Sequence, residues 1–243
     1  MDNYSFQPLG DSAIQLFFKE EPSPLLNRTI SSICKGLEGK KITGIIESVP
    51  SYKALTVFYE PWNLSYDTLK QQLEEMLDQQ ESKDKLSPSY VVTIPTLYGN
   101  EYGPDIALVA NKNNLSIEEV ITLHTQKDYL IYMMGFMPGF PYLGGLDKKI
   151  ATPRHENPKA RVEAGSVGIA GDQTGIYPFQ SPGGWNIIGR TPLKLFQPDN
   201  EQPFLYKPGD YLRFKAINEE EFAEIEEAVK QGTYHVKREE MKG

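Results

Sequence analysis

Hydrophobic positions in the first third of the chain alternate between two periods. In Ser12–Phe18, Ile14, Leu16 and Phe18 alternate with polar or small neighbours, which predicts a half-buried strand. Leu26, Ile30, Ile33 and Leu37 then recur at helical spacing, and Gly39 offers a stop. Ile42–Val49 and Tyr52–Tyr59 are rich in β-branched and aromatic residues and are split by Pro50-Ser51, so they predict two paired strands. Ser65 is placed to cap a second helix with Tyr66, Leu69, Leu73 and Met76 on one face. Two amphipathic helices covering one face of an antiparallel sheet is the simplest arrangement of these parts.

The pattern then breaks. QQESKDKLSPS, residues 79–89, is polar and almost free of apolar side chains, the composition of a linker. Beyond it, Tyr90–Leu97 predicts a strand that lies at an edge or ends at Pro95. Ser116 and Glu119 form a capping box that opens a short helix to about Leu123, and Lys127–Met134 is a further apolar run. Turn signals follow every few residues until Phe214, among them PGF, GG, AGS, AGD, SPGG and KPGD. Short strands broken by such turns indicate a closed or nearly closed β structure. A helix over about Glu219–Lys230 ends the pattern. The expected division is a small α+β domain over 1–80, a linker over 81–89, a β-barrel domain over 90–217, and a C-terminal helix and tail over 218–243.

Composition narrows the function classes. No apolar run approaches a membrane span, and MDNYSFQPLGDS lacks the basic and apolar regions of a signal peptide. The single cysteine, Cys34, cannot form an internal disulfide, so a cytoplasmic location is expected. A net charge of -8 argues against a dedicated nucleic-acid binder. Much of the acid lies in NEEEFAEIEEAVK and reads as a solvated helix face, whereas Lys148, Lys149, Arg154, Lys159 and Arg161 form a locally cationic stretch.

The common catalytic signatures are absent: no P-loop, dinucleotide fingerprint, GxSxG, HExxH or CxxC occurs. His124, His155 and His235 lack metal-ligand spacing, and no metal site is expected. Gly10-Asp11-Ser12 reads as a turn between strands rather than a nucleophile block. His124 ends the capped helix, either as a cation favoured by the macrodipole or as a proton carrier facing a pocket. The strongest signal lies in GFMPGFPYLGGL and AGSVGIAGDQTGIYPFQSPGGWNIIGRTP, where glycine and proline turns are bordered by Phe136, Phe140, Tyr142, Tyr177, Phe179 and Trp185. Backbone that permits close approach, walled by aromatic rings, encloses small ligands. Arg154 and Arg161 could clamp a carboxylate or phosphate in two-pronged fashion. The remaining substrate-binding candidates in these segments are Gly135, Pro138, Gly139, Gln173, Thr174, Ser181, Pro182, Gly183 and Gly184, and His124 and Arg154 are the catalytic candidates.

GDSAIQLFF, GFMPGFPYLGGL, TPRHENPKARVEAGSVGIAGDQTGIYP and SPGGWNIIGRTPL together resemble the allophanate hydrolase subunit 1 family over nearly the whole chain. The resemblance implies an α+β N-terminal domain followed by a cyclophilin-like β-barrel domain. It also implies two roles, which are compatible and could belong to one protein. The first is as one part of an ATP-dependent 5-oxoprolinase that opens 5-oxo-L-proline to L-glutamate, assembled with a subunit 2-type (C-type) protein and a LamB-type (A-type) protein. ATP, with magnesium, would then act at the level of the complex and not on this chain alone. The second is a Kip-type inhibitor of a sensor histidine kinase. Peptidyl-prolyl isomerase activity would rest on barrel type alone, which does not license it.

Overall fold

The computed structural model describes residues 3–80 and 89–241; the expected linker over 81–89 lies outside the described residues except for Ser89. The chain divides into two compact units, Met1–Pro88 and Ser89–Gly243.

In the first unit β1 (Tyr4–Pro8), β2 (Ala13–Phe18), α1 (Pro24–Lys40), β3 (Ile45–Pro50), β4 (Ala54–Tyr59) and α2 (Tyr66–Gln80) follow in order. The sheet is antiparallel with strand order β1-β2-β4-β3. Gly10-Asp11-Ser12 belongs to the turn joining β1 to β2, with Leu9 N–H donating to Ala13 O at 2.8 Å. Ile14, Leu16 and Phe18 point into one core with Leu26, Ile30, Ile33, Leu37, Leu69 and Leu73 of the helices. Ser23 Oγ accepts from Leu26 N–H at 3.1 Å and starts α1, with Pro24 in its first turn. Gly39 does not stop this helix; Lys41, with φ 45°, does. Pro50 lies inside β3, where an edge strand spares it the missing N–H.

The second unit holds β5 (Tyr90–Tyr98), α3 (Ile106–Lys112), α4 (Ile117–Thr125), β6 (Asp128–Met134), β7 (Pro141–Gly144), β8 (Lys159–Val162), β9 (Ser166–Ala170), β10 (Gln173–Ile176), β11 (Ser181–Gly183), β12 (Asn186–Arg190), β13 (Tyr211–Ala216), α5 (Glu219–Lys230) and β14 (Arg238–Glu240). Its main sheet runs β10-β9-β12-β5-β13-β6-β7, and β7 lies alongside β10, so the barrel is nearly closed. β14 adds to β5, and β8 with β11 forms a separate ribbon. Val92, Ile94, Tyr129, Ile131, Val167, Ile188, Leu212 and Phe214 fill the interior. No helix among the described residues is long and apolar enough to cross a membrane.

β5 departs from expectation. It neither ends at Pro95 nor lies at an edge, because β13 pairs with it in parallel from Tyr211↔Val91 to Ala216↔Thr96. On its other side β14 pairs with Tyr90–Val92 and β12 with Leu97 and Tyr98. Thr93 N–H donates to Lys237 O and Gly99 N–H to Ile188 O, so by alternation the missing Pro95 N–H faces the interval between β14 and β12.

Candidate substrate site

The turn joining β6 to β7 is tied to itself: Met137 N–H donates to Gly135 O, Phe140 N–H to Met137 O and Gly135 N–H to Phe140 O. Both Phe136 (φ 63°) and Gly139 (φ 83°) take the left-handed conformation. Tyr206 Oη donates to Gly139 O at 2.8 Å and holds the turn on the barrel. The turn leaves its two phenylalanines differently buried, with Phe136 78% exposed and Phe140 3%.

Phe140 is the hub of an aromatic cluster. Its ring meets Phe136, Tyr142, Tyr177 and Trp185 edge-on, at centroid distances of 6.2, 5.4, 5.8 and 5.5 Å. Gly175 makes this possible, since a Cβ there would stand 3.0 Å from Trp185 and 3.2 Å from Phe140. These rings were expected to wall an open pocket. Phe140, Tyr177 and Trp185 instead bury one another, at 3%, 3% and 7% exposed, in a closed cluster. Arg154 lies on it, exposed, with its guanidinium carbon 5.9 Å from the centroid of the Trp185 ring. Burial pushes the Tyr177 phenol above its usual range, opposed by the Trp185 backbone and by the Arg154 charge. Gly183 faces the Tyr177 hydroxyl so closely that any Cβ would collide with it.

A second feature is an apolar hollow of about 330 Å³ lined by Met134, Gly135, Phe136, Met137, Pro138, Gly139 and Phe204. No charged side chain lines it, so it suits an apolar side chain better than an anion. Four of the expected substrate-binding residues, Gly135, Phe136, Pro138 and Gly139, belong to this hollow.

Other expected site residues have different work. Arg161 is exposed and donates from Nε to Glu163 at 2.5 Å. Thr174 is buried and donates from Oγ1 to Gly168 O at 3.0 Å. Gln173 opens β10, half-buried. Ser181, Pro182 and Gly183 form β11, against β8, and Ser181 Oγ is buried with no hydrogen-bond partner among the described residues.

His124 is neither a helix-end cation nor a pocket-facing proton carrier. It is fully buried, with Tyr98 Oη 2.8 Å from Nδ1 and Thr174 Oγ1 2.8 Å from Nε2. The single Thr174 hydroxyl proton goes to Gly168 O, so Oγ1 accepts from Nε2–H and Nδ1 accepts from Tyr98. That network needs the neutral imidazole, and burial lowers the His124 pKa to about 3. His124 thus fastens α4 to β5 and β10.

The structure also assembles a group that sequence spacing does not reveal. Asp105 Oδ2 accepts from Ile187 N–H at 2.7 Å and from the Lys159 ammonium, and His155 Nε2 lies 3.4 Å away. His155 N–H donates to Gly184 O at 2.8 Å, and Lys159 pairs in register with Gly183. The cationic stretch containing His155 and Lys159 was the one available signal; Asp105 is too distant along the chain for any motif to link them.

Comparison with known proteins identifies the family. The family model for the carboxyltransferase domain, subdomain C and D, matches residues 4–206. The B-type subunit of the Bacillus subtilis 5-oxoprolinase is 42% identical over 229 residues, covering 90% of this chain and 95% of the relative. The crystal structure of TTHA0988 superposes with a TM-score of 0.75 at 36% identity, covering 85% of this chain but 40% of the other. The Kluyveromyces lactis urea amidolyase shares the fold, with a TM-score of 0.80 at 19% identity over 98% of this chain and 16% of that enzyme. The chain therefore belongs to the carboxyltransferase subdomain C and D family, among the relatives of the B-type 5-oxoprolinase subunit.

Proposed function

We propose that this chain is one subunit of an ATP-dependent 5-oxoprolinase, and that it contributes the part of the active site that holds the substrate carboxylate. The observation that carries the reading is the 42% identity to a B-type 5-oxoprolinase subunit over 90% of the chain, together with Arg154 placed on Trp185 beside two glycines. A guanidinium beside the edge of the aromatic cluster and the half-buried Gly183-Gly184 backbone suit the carboxylate of a five-membered lactam. The lactam is an unreactive amide, and ATP hydrolysis supplies the driving force to open it. Donors aimed at the carbonyl oxygen would stabilise the charge that develops there.

Partner subunits are part of the proposal. The aromatic cluster is closed and leaves no cavity for a ligand among its own rings, so on this reading a second chain encloses the substrate beside Arg154. TTHA0988, of which this chain spans 40%, supports the reading that further chain accompanies this fold. The exposed Phe136 and the apolar hollow beside it have the character of a partner contact. The partners are a subunit 2-type protein and a LamB-type protein, with ATP and magnesium bound at the level of the complex.

The test is reconstitution. The chain with both partners should release glutamate from 5-oxo-L-proline in step with ATP hydrolysis, and the chain alone should do neither. Arg154→Lys should raise the KM for 5-oxo-L-proline by about tenfold or more, because lysine cannot make the two-pronged contact. Turnover by the isolated chain, or no turnover by the full assembly, would overturn the proposal.

A further inference from the structure

Asp105 stands at the N-cap of α3 yet makes no capping bond. Its carboxylate is directed elsewhere, to Ile187 N–H and Lys159, while its own N–H donates to Ile187 O at 2.9 Å. Backbone and side chain together pin it to β12. Gly103 packs so tightly on Ile188 O that a Cβ there would collide with it, which holds the preceding turn against the same strand. Asp105 is a fixed acceptor.

Lys159 is fixed through it. The Lys159 side chain is 30% exposed, and Asp105 is its only ion-pair partner among the described residues. An ammonium carries three N–H donors, so two remain for another acceptor. Near the same ribbon Ser181 Oγ is buried without a hydrogen-bond partner among the described residues, and buried His155 Nε2 has only the 3.4 Å approach to Asp105 Oδ2. Buried groups left short of partners are uncommon and mark a position that something else can complete. The stability gained from a partly buried ion pair is small, which gives little structural reason to place a lysine here.

We propose that Lys159 is the second cation of the substrate site and binds an anionic oxygen, carboxylate or phosphoryl, beside Gly183 and Gly184, with Asp105 as its positioning residue. The strip from Gly183 to Trp185 is flanked by Arg154 on the Trp185 ring, by His155 bonded to Gly184, and by Lys159 in register with Gly183. Asp105 is occupied by Lys159 and the Ile187 N–H, which leaves Arg154 and the two remaining Lys159 donors as the groups that face an anion at the strip, with exposed Glu156 as the opposing charge nearby in sequence. This inference rests on the reading of that surface as the substrate site.

The experiment is reductive methylation of lysines in the wild-type chain assembled with its partners, followed at Lys159 by mass spectrometry with exposed Lys194 as the internal reference. Slowing of Lys159 alone, about fivefold or more, by saturating 5-oxo-L-proline identifies a carboxylate contact; slowing by inorganic phosphate alone identifies a phosphoryl contact. No slowing by either overturns the inference. Lys159→Met should lower kcat/KM about tenfold or more, Lys159→Arg should recover most of it, and Asp105→Asn should fall between while still accepting from Ile187 N–H. Met and Arg variants that both match wild type in kcat/KM would equally overturn it. If the wild-type assembly turns over 5-oxo-L-proline and Lys159 is neither shielded nor needed, this inference fails alone. If it does not turn over, the functional reading fails, and shielding by phosphate decides the role of Lys159.

Discussion

Lowering the pH should expose the cost of keeping His124 neutral. In the unfolded chain His124 takes up a proton near its ordinary pKa of 6.5, whereas in the folded barrel burial lowers that value to about 3. Below pH 6.5 the unfolded state therefore binds more protons than the folded state, and stability falls as pH falls toward the folded value. The slope is about 1.4 kcal/mol per pH unit, so moving from about pH 8 to about pH 5 removes about 2 kcal/mol through this residue alone. The comparison is His124→Gln, which cannot titrate. At about pH 8 the variant should be less stable by about 1–3 kcal/mol, since Tyr98 and Thr174 lose well-aligned partners. At about pH 5 that gap should shrink by about 2 kcal/mol, because wild type alone pays the protonation penalty; titrations common to both cancel. Urea unfolding followed by tryptophan emission reads the barrel unit directly if Trp62, 80% exposed in the other unit, is first changed to Phe in both proteins, leaving Trp185, 7% exposed, as the reporter. Parallel stability curves for the two proteins across that pH range would refute the buried neutral imidazole.

Three further outcomes follow from single contacts. Gly183→Ala should drive its new methyl into the Tyr177 hydroxyl, costing about 1–3 kcal/mol in urea unfolding and shifting the Trp185 emission. Phe136→Gly should leave the stability of the isolated chain within about 1 kcal/mol, since relief at φ 63° offsets added chain entropy, while calorimetry shows association with the partner subunits weakened about tenfold or more. Arg213 donates to both Asp128 oxygens at 2.7 Å and to Glu239 at 3.1 Å, so Arg213→Lys should cost about 0.5–1.5 kcal/mol and speed hydrogen exchange in β14, where it pairs with Tyr90–Val92.

Local rules made much of the fold legible. The capping box at Ser116 and Glu119 starts α4 because both of its bonds lie within one turn, and the alternation of Ile14, Leu16 and Phe18 marks an inward face whatever the strand pairs with. What escaped depends on partners distant in sequence. Pro95 breaks a ladder only where a neighbour needs its N–H, and at that point of β5 the neighbouring strand changes from β14 to β12. β1 is short and partly polar and is defined mainly by its pairing with β2. α3 spans seven residues and opens at an aspartate that forgoes the cap.

The same distinction divides the candidate site. Of the six aromatic residues singled out beside glycine turns, Phe136, Phe140, Tyr142, Tyr177 and Trp185 come together, while Phe179 packs on Phe196, and composition cannot tell which face of a turn becomes interior. The left-handed conformation at Phe136 exposes one ring of the β6–β7 turn while Phe140, four residues later, enters the cluster under Arg154. One turn therefore contributes an exposed ring beside an apolar hollow and a buried ring in the cluster on which Arg154 lies. His124 shows the converse. A helix-end histidine can be a cation on a surface or a neutral link in a core, and the three groups that settle the matter, Tyr98, Thr174 and Gly168, come from other strands of the barrel. The Asp105, His155 and Lys159 group depends on strand pairing most of all. Its parts are common surface residue types, and only the pairing of β11 with β8, together with the bond from Ile187 to Asp105, converts them into a held cation beside an open backbone. Sequence can locate the flexible and aromatic materials of such a site, but the charges that give it a chemistry are selected by strand pairing.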